Sequence, residues 1–551
     1  MLKNPYYLYG TNEVLVPAKL NFGEFVLSKF WENKDRVAII NAETQEELGF
    51  KQMAQEAMSL AISLVRIGVR KGDVVAICSE NRQEFWSTVV GVICTGAVAT
   101  LINTGYSTGE LKHALSISKP KYVFCSPQGY KNHVKTFAAH NIKIFTLGDD
   151  VDNPNGFSYN NLAKEFIRTG EKKSVDYEEF QAIDVQGQDT AFLLYSSGTT
   201  GLPKAVMLTH LNMLVSSCQS SVLVVTPWYH SMGLAGCFCY LTAGRTNVYL
   251  PRFEPSLYLK TIEKYKVSQI TVVPPMLVAV TKCPSDHDLS SVTMIYSGAA
   301  PLRSDTISEV CSRFPNVDTV RQGYGMTETS LGVCKNYVHE KPKVGSVGKV
   351  VRGTIVKIVD IETRKPLGRF QEGEICVKGL LIMKGYVGKN RRDDFDDEGF
   401  FKTGDLAYYD EEEYVFIVGR LKELIKYKGY QVPPAEIEAV LLQHQGIRDA
   451  GVIGVADAAA GEVPRAFVVM QTGATLTENE VKQFVAEKVM LAQYQTVLFK
   501  VSLAIYFPLQ LSSPKHLRGG VQFVSEIPKT ASGKILRNRL REMAKVHKSK
   551  L

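Results

Sequence analysis

The sequence predicts an α/β protein: a large N-terminal domain of parallel-rich sheets, a small antiparallel β-barrel subdomain, and a small α+β C-terminal domain. Three changes of texture along its 551 residues carry this. Between about residues 50 and 350, short β-branched runs alternate with longer amphipathic stretches, as buried strands between helices do. Strands are expected at VVAIC (74–78), YVFC (122–125), AFLLY (191–195), ITVV (270–273) and TMIYS (293–297), with helices over 51–67 and 257–266. From roughly 340 to 419, GTIVKIVD (353–360), GEICVKG (373–379) and EYVFIVGR (413–420) alternate apolar and polar residues between turn formers, which predicts antiparallel pairing. Beyond Gly419-Arg420 come a helix (434–444), a strand (449–457) and a second helix (477–489). The domain boundary is therefore placed near 420, giving domains 1–419 and 420–551.

Composition narrows the function. Hydrophobic residues make up 45% and charged residues 22%, the balance of an ordinary globular chain. Net charge is +8, yet 64 basic and 56 acidic residues are mixed along most of the length, so an anionic small ligand is expected and nucleic acid is not. Ten scattered cysteines show no repeated pair spacing, and the lone Cys237-x-Cys239 is read as buried thiols instead of a zinc site. No secretory leader is expected in MLKNPYYLYG, and no stretch is long enough to be a transmembrane helix. The ending Ser549-Lys550-Leu551 is the address read by the peroxisomal import receptor, which predicts a peroxisomal location.

YSSGTTGLPKAV (195–206) follows an apolar run and packs hydroxyls and glycines together. Gly198 and Gly201 can turn successive N–H groups onto an anion, Ser196, Ser197, Thr199 and Thr200 add hydroxyl donors, and Lys204 adds charge. The spacing is not that of a Walker loop, yet a phosphate cradle is the natural reading. Gln322-Gly323-Tyr324-Gly325-Met326-Thr327-Glu328 offers an aromatic ring, a hydroxyl and a carboxylate; one carboxylate with phosphate oxygens suffices for Mg2+. FKTGD places Asp405 on an expected tight turn, where it could accept both ribose hydroxyls, and PKTASGK presents Lys534 on an unburied small-residue loop.

Six segments in order, YSSGTTGLPKAV, SGAAPL (297–302), QGYGMTET (322–329), FKTGD (401–405), GRLKELIKYKGYQVPPAEIE (419–438) and PKTASGK (528–534), resemble the motif set of the adenylate-forming superfamily. That superfamily holds acyl-CoA synthetases, 4-coumarate–CoA ligases and beetle luciferases. KYKGYQV (426–432), HLRGG (516–520) and the terminal SKL narrow the likeness to insect luciferase-like fatty acyl-CoA synthetases.

The resemblance implies that Ser196 to Lys204 wrap the β- and γ-phosphates of ATP. Ser297, Gly298, Ala299 and Ala300, with Gln322 to Tyr324 and Gly325, would line the adenine slot. Thr327 would meet the α-phosphate, Glu328 would bind Mg2+, and Asp405 with Arg420 would hold the ribose. Lys422 matches the hinge between the domains, Lys534 would bridge substrate carboxylate and α-phosphate, and rotation would bring the Lys426–Gly429 face in for attack by coenzyme A. His230, in TPWYHSMG (226–233), would stand beside the adenylate, while Trp228 and Tyr229 are read as packing residues.

Met232 and Leu331 stand where luciferases tend to carry an aromatic and a small hydroxyl residue, and both make an acyl pocket flexible and apolar. The expected function is an AMP-forming ligase joining a medium- or long-chain fatty acid to coenzyme A. Luciferase, a 4-coumarate-type ligase and a catalytically dead nucleotide-binding homologue are the alternatives.

The chain departs from the family at Ala205, usually glycine, which is tolerable if its φ is negative. The stretch from His210 to Pro227 is short, and an apolar insertion occupies about 495–514. Both read as errors of exon assignment.

Overall fold

In the computed structural model, residues 4–11, 19–148, 157–158, 175–196, 203–217, 226–300, 302, 304–428, 430–487, 515–529 and 534–548 are described. The β-branched runs become strands at Val74–Cys78, Tyr122–Cys125, Thr190–Ser196, Gln269–Val272 and Met294–Ser297. The amphipathic stretches become helices Phe50–Arg66 and Pro255–Tyr265. The second begins where it does because Pro255 presets φ at the first turn and the Glu254 carboxylate accepts from the Ser256 and Leu257 N–H groups.

Contacts divide the chain into two compact units, Met1–Val356 with Cys376–Lys402, and Lys357–Ile375 with Thr403–Leu551. In the first, an eight-stranded sheet runs in the order Gly385–Tyr386, Lys204–Thr209, Thr190–Ser196, Val98–Ile102, Val74–Cys78, Tyr122–Cys125, Lys143–Thr146, Phe157–Ser158. It is parallel from Thr190–Ser196 onward and antiparallel at its other edge. A second sheet sets Gln269–Val272, Met294–Ser297 and Val320–Tyr324 parallel, then adds two short antiparallel strands.

The first unit's core is rich in aromatic rings. Trp86 and Trp228 have no exposed surface; their rings lie 5.0 Å apart, with Phe85, Phe238 and Tyr249 against them. Trp228 is thus a packing residue, fixed further by its backbone N–H, which donates to Asn81 Oδ1 at 2.9 Å. Each such ring contributes about 0.5–1.5 kcal/mol beyond its buried area.

In the second unit, strands Phe401–Tyr409 and Val415–Arg420 pair antiparallel, with Asp405 opposite Arg420. A long hairpin, Ile447–Asp457 with Gly461–Met470, carries Val521–Phe523 parallel on its edge. Helix Pro434–Leu441 and helix Arg537–Lys548 pack on it. The compact units part at Lys402/Thr403, so the Phe401–Arg420 hairpin falls largely with the C-terminal residues. Among the described residues no helix is long and apolar enough to cross a membrane.

Candidate active site

Strand ends collect the site's chemistry. Ser196 closes one strand, Lys204 opens the next, and the two face each other across an antiparallel pair. The Ser/Gly/Thr segment therefore joins the arms of a hairpin, and Ser197, Gly198, Thr199, Thr200 and Gly201 themselves lie outside the described residues. Ala205 sits within the strand opposite Tyr195 and is not among the positive-φ residues, so its methyl is accommodated.

Lys204 Nζ lies over the Tyr386 ring at 4.6 Å, and the Tyr386 hydroxyl donates to Glu328 Oε1 at 2.7 Å. Tyr386 thus links the foot of the cradle to the acidic residue of QGYGMTET. Sequence reasoning missed it: MKGYVGK has no motif-like composition, and Tyr386 is 58 positions from its partner. Burial first, then the adjacent Glu328 charge, pushes the phenol far above its ordinary range, so it remains a donor.

Glu328 is 7% exposed. Among the described residues Tyr386 is its one side-chain hydrogen-bond partner and no cation pairs with it. Oε2 is left for another ligand, a donor set that fits a hard divalent cation completed by phosphate oxygens. No cluster of three or more His, Cys, Asp or Glu forms a metal site among the described residues.

The turn bearing Thr327 and Glu328 is tightly made. Ser330 has φ 54° and Leu331 φ 137°, both in the left-handed half where branched residues are strained. Gly325 is required, because a Cβ there would stand 1.8 Å from the Leu331 carbonyl oxygen. Helix His210–Ser217, which opens the shortened stretch, braces this turn: Ser216 Oγ donates to the Ser330 carbonyl, and Asn212 Nδ2 to the Leu380 and Ile382 carbonyls.

His230 caps helix Ser231–Thr242, and the next residue, Ser231, exchanges a 3.4 Å hydrogen bond with Thr327. The structure thus brings TPWYHSMG and QGYGMTET together. Gly233 lets TPWYHSMG fold tightly on itself, since a Cβ there would meet the Pro227 oxygen at 2.2 Å. The Tyr229 ring lies 4.6 Å from that of His230, tilted by 49°, its phenol pushed up to about 12 by burial.

Ser297 and Gln322 are register neighbours at the C-terminal ends of parallel strands, the edge where α/β sheets place ligands. Ser297 is 3% exposed and its hydroxyl has no hydrogen-bond partner among the described residues. Gln322 N–H donates to Asn336, and Gln322 Oε1 accepts from Leu302 N. Gly298 lies under the Met232 methyl, where a Cβ would come within 3.1 Å of it. Met232 and Ala299 both pack on the core of that sheet, and Leu331 and Ala300 are half-buried.

In the second unit, the expected tight turn at FKTGD is a kinked strand: Gly404 takes φ 72° while pairing continues on either side. Asp405 is 3% exposed and its Oδ1 lies 2.9 Å from Arg420 Nε. Lys422 is exposed on the single turn Leu421–Glu423, and Lys426 is exposed on strand Ile425–Tyr427, its N–H on Glu462. Lys534 is half-buried, not unburied as its small-residue neighbours suggested. Residues 530–533, Gly429, the insertion at 495–514 and the Ser549–Leu551 tail lie outside the described residues.

Comparison with known proteins establishes the family. Residues 29–387 match the model of the AMP-binding enzymes, and 436–534 that of the AMP-binding enzyme C-terminal domain. The chain is 37% identical to luciferin 4-monooxygenase of Nipponoluciola cruciata, covering 92% of this chain and 91% of that protein. It is 35% identical to 4-coumarate–CoA ligase 1 of Petroselinum crispum, covering 96% and 95%. The crystal structure of ATP-bound MatB from Rhodopseudomonas palustris superposes with TM-score 0.81 at 29% identity, covering 95% of this chain and 99% of that one. The chain belongs to the AMP-binding, adenylate-forming enzymes.

Proposed function

We propose that this protein is an ATP-dependent acid–thiol ligase that activates a medium- or long-chain fatty acid and passes it to coenzyme A. A carboxylate resists nucleophiles because of its charge and because oxide cannot leave. Attack of the carboxylate oxygen on the α-phosphorus of ATP forms an acyl-adenylate and releases pyrophosphate. The coenzyme A thiol, losing its proton, then displaces AMP and leaves a thioester. Adenylation gathers three anions, so it depends on positioning and positive charge.

The observation that carries this reading is the buried Glu328, paired with no basic side chain among the described residues, beside Thr327 and linked through Tyr386 to the foot of the hydroxyl-rich hairpin. In this reading Ser196 to Lys204 grip the β- and γ-phosphates, and Ser297 and Gln322 face the base with Tyr324. Asp405 and Arg420 take the ribose, Thr327 takes the α-phosphate, and Lys534 meets the carboxylate in the first step. Lys422 serves as the hinge for the change to the thiol step, in which Lys426 acts. Mg2+, held by Glu328 and phosphate oxygens, would supply charge neutralisation on the triphosphate.

The acid follows from apolar flexibility. Met232 closes over Gly298, and an unbranched thioether tolerates an alkyl chain of variable bend. ATP–pyrophosphate exchange against acids from short-chain to long-chain and cinnamic tests this. Exchange should be strongest with medium or long fatty acids and fall about 10²–10³-fold in Lys534→Ala. Stronger exchange with cinnamates would overturn the substrate assignment. The names of the relatives favour two other readings, an aromatic acid ligase and a luciferase. Light on adding luciferin, ATP, Mg2+ and oxygen would establish the latter.

A peroxisomal address through Ser549-Lys550-Leu551 completes the proposal. A fluorescent fusion should be punctate with the tripeptide free at the C-terminus and diffuse without it; the same distribution in both would remove it.

A further inference from the structure

We infer that two sets of ion pairs flanking the Lys534 segment, Lys529 with Asp449 and Arg537 with Glu438 and Glu423, are positioning devices that serve the acid-activating step alone. This rests on the reading above that Lys534 acts in adenylation.

The segment stands on strand Ile447–Asp457. Lys529 and Ile535 form a backbone bridge, and Leu536 N–H donates to the Pro528 carbonyl at 2.8 Å, so the two ends of the loop are tied together. Ile527, Ile535 and Leu540 sit over Gly451 of the strand, where a Cβ would come within 2.8 Å of Leu540 Cδ1. On one side Lys529 Nζ donates to both Asp449 oxygens, at 2.6 and 2.8 Å. On the other, Arg537, whose side chain is 9% exposed, donates from Nη2 to Glu438 Oε2 at 3.2 Å, with Nη1 3.1 Å from Oε1. Its Nε lies 3.0 Å from Glu423, which ends the turn carrying Lys422. Glu438 Oε1 also accepts from Val452 N–H at 2.8 Å, tying the guanidinium back to the same strand.

Burying charges such as those of Arg537 and Glu438 is a poor way to gain stability, because desolvation offsets most of the attraction and apolar packing would hold the helix as well. A partly exposed pair such as Lys529–Asp449 contributes little stability. A planar guanidinium between carboxylates adds fixed geometry. Lys534 is five residues from one foot and three from the other. At ~3.3–3.6 Å per extended residue, displacement of either foot moves its backbone directly.

The test uses the full chain and two separate assays, ATP–pyrophosphate exchange with a fatty acid and thioester formation from supplied acyl-adenylate and coenzyme A. Lys529→Gln, Asp449→Asn and Arg537→Lys should each lower exchange, by up to about 10²-fold for an ångström of misplacement. Thioester formation should stay at the parent rate. The double exchange Lys529→Asp with Asp449→Lys should recover much of the loss. The Lys529 and Asp449 variants touch partly exposed groups and keep the test open should Arg537→Lys fail to fold. Equal loss of both half-reactions, loss of the second alone, or no loss in any variant overturns the inference. If the unaltered chain exchanges with no acid, the ligase reading fails first and takes this with it.

Discussion

The carboxylates of the candidate site are held differently in the two units, Glu328 by a neutral donor and Asp405 by a guanidinium, although Asp410 of the second unit accepts from backbone N–H groups and Glu84 of the first pairs with Arg82. In the first, Glu328 accepts from a phenol and half-buried Glu56 from Ser87 and Gln52, all neutral donors. In the second, Asp405, Glu374 and Glu438 each face a guanidinium, from Arg420, Arg364 and Arg537. A carboxylate already paired with arginine has little charge to offer and is suited to accept hydroxyls; one held by neutral donors keeps its charge for an incoming cation. Under the proposed function, Glu328 would therefore suit a cation and the charge it neutralises, and Asp405 would suit neutral hydroxyls.

Glu328→Gln breaks the comparison most severely. Tyr386 can still donate to the amide oxygen, so the fold should survive while the charge is lost. Adenylation should fall about 10²–10³-fold, ~3–4 kcal/mol in the transition state, and saturation should need more Mg2+. Pyrophosphate exchange titrated with Mg2+ measures both; an unchanged Mg2+ dependence would mean that Glu328 is only structural.

His210 extends the neutral-partner pattern. It is fully buried, its Nδ1 accepts from Phe22 N–H at 3.0 Å, and its Nε2 has no partner among the described residues. Burial pushes its pKa down to about 4, with Asp189 opposing and Lys71 adding to the shift. Unfolding frees it to bind a proton between its depressed value and the ordinary ~6.5. Its contribution is thus complete above about pH 6.5 and is lost as pH falls toward 4, up to about 3 kcal/mol. His210→Asn preserves an acceptor for Phe22 and should flatten that part of the stability–pH curve in denaturant titrations. An unchanged slope would show that some other group sets the acid limb.

How much of this was legible depended on distance along the chain. Strands at 74–78, 122–125 and 373–379 were readable residue for residue, because period and β-branching are local. So were the residue types of the site: a hydroxyl-rich segment, one carboxylate, one lysine. Pairings across long separations were not. Nothing in either segment alone says that Ser231 meets Thr327, 96 positions away, or that Tyr386 spans Lys204 and Glu328. The tight turn expected at FKTGD also failed for a nonlocal reason. Glycine signalled a bend, but Phe401–Tyr409 forms one strand, paired with Val415–Arg420 from Asp405 onward.

Asp405→Asn probes the second unit's side of the comparison. It leaves Arg420 without its countercharge and weakens acceptance of hydroxyls, at about 1.5–3 kcal/mol for a charged hydrogen bond. Because that contact is made equally in ground and transition states, the loss should appear as a ~10–10²-fold rise in the KM for ATP with kcat little changed. A fall in kcat with unchanged KM would place Asp405 in the chemistry and erase the distinction from Glu328.

The smallest effect tests the backbone beside each group. Ala299 and Gly404 both have φ 72°, one in the first unit's SGAAPL segment and one just before Asp405. For alanine that region costs roughly 1–2 kcal/mol, and for glycine almost nothing. Nothing lies within 4 Å of a Cβ built on Gly404, so Gly404→Ala should lose about that amount through the backbone alone. Ala299→Gly relieves the same strain but gives up a methyl packed on its sheet's core, worth about 0.8 kcal/mol, so its net gain should stay below about 1 kcal/mol. Chemical denaturation of the two variants should move in opposite directions. A stabilising Gly404→Ala would show that the kink before Asp405 is not strained for an L-residue, and that the two positions are alike in angle only.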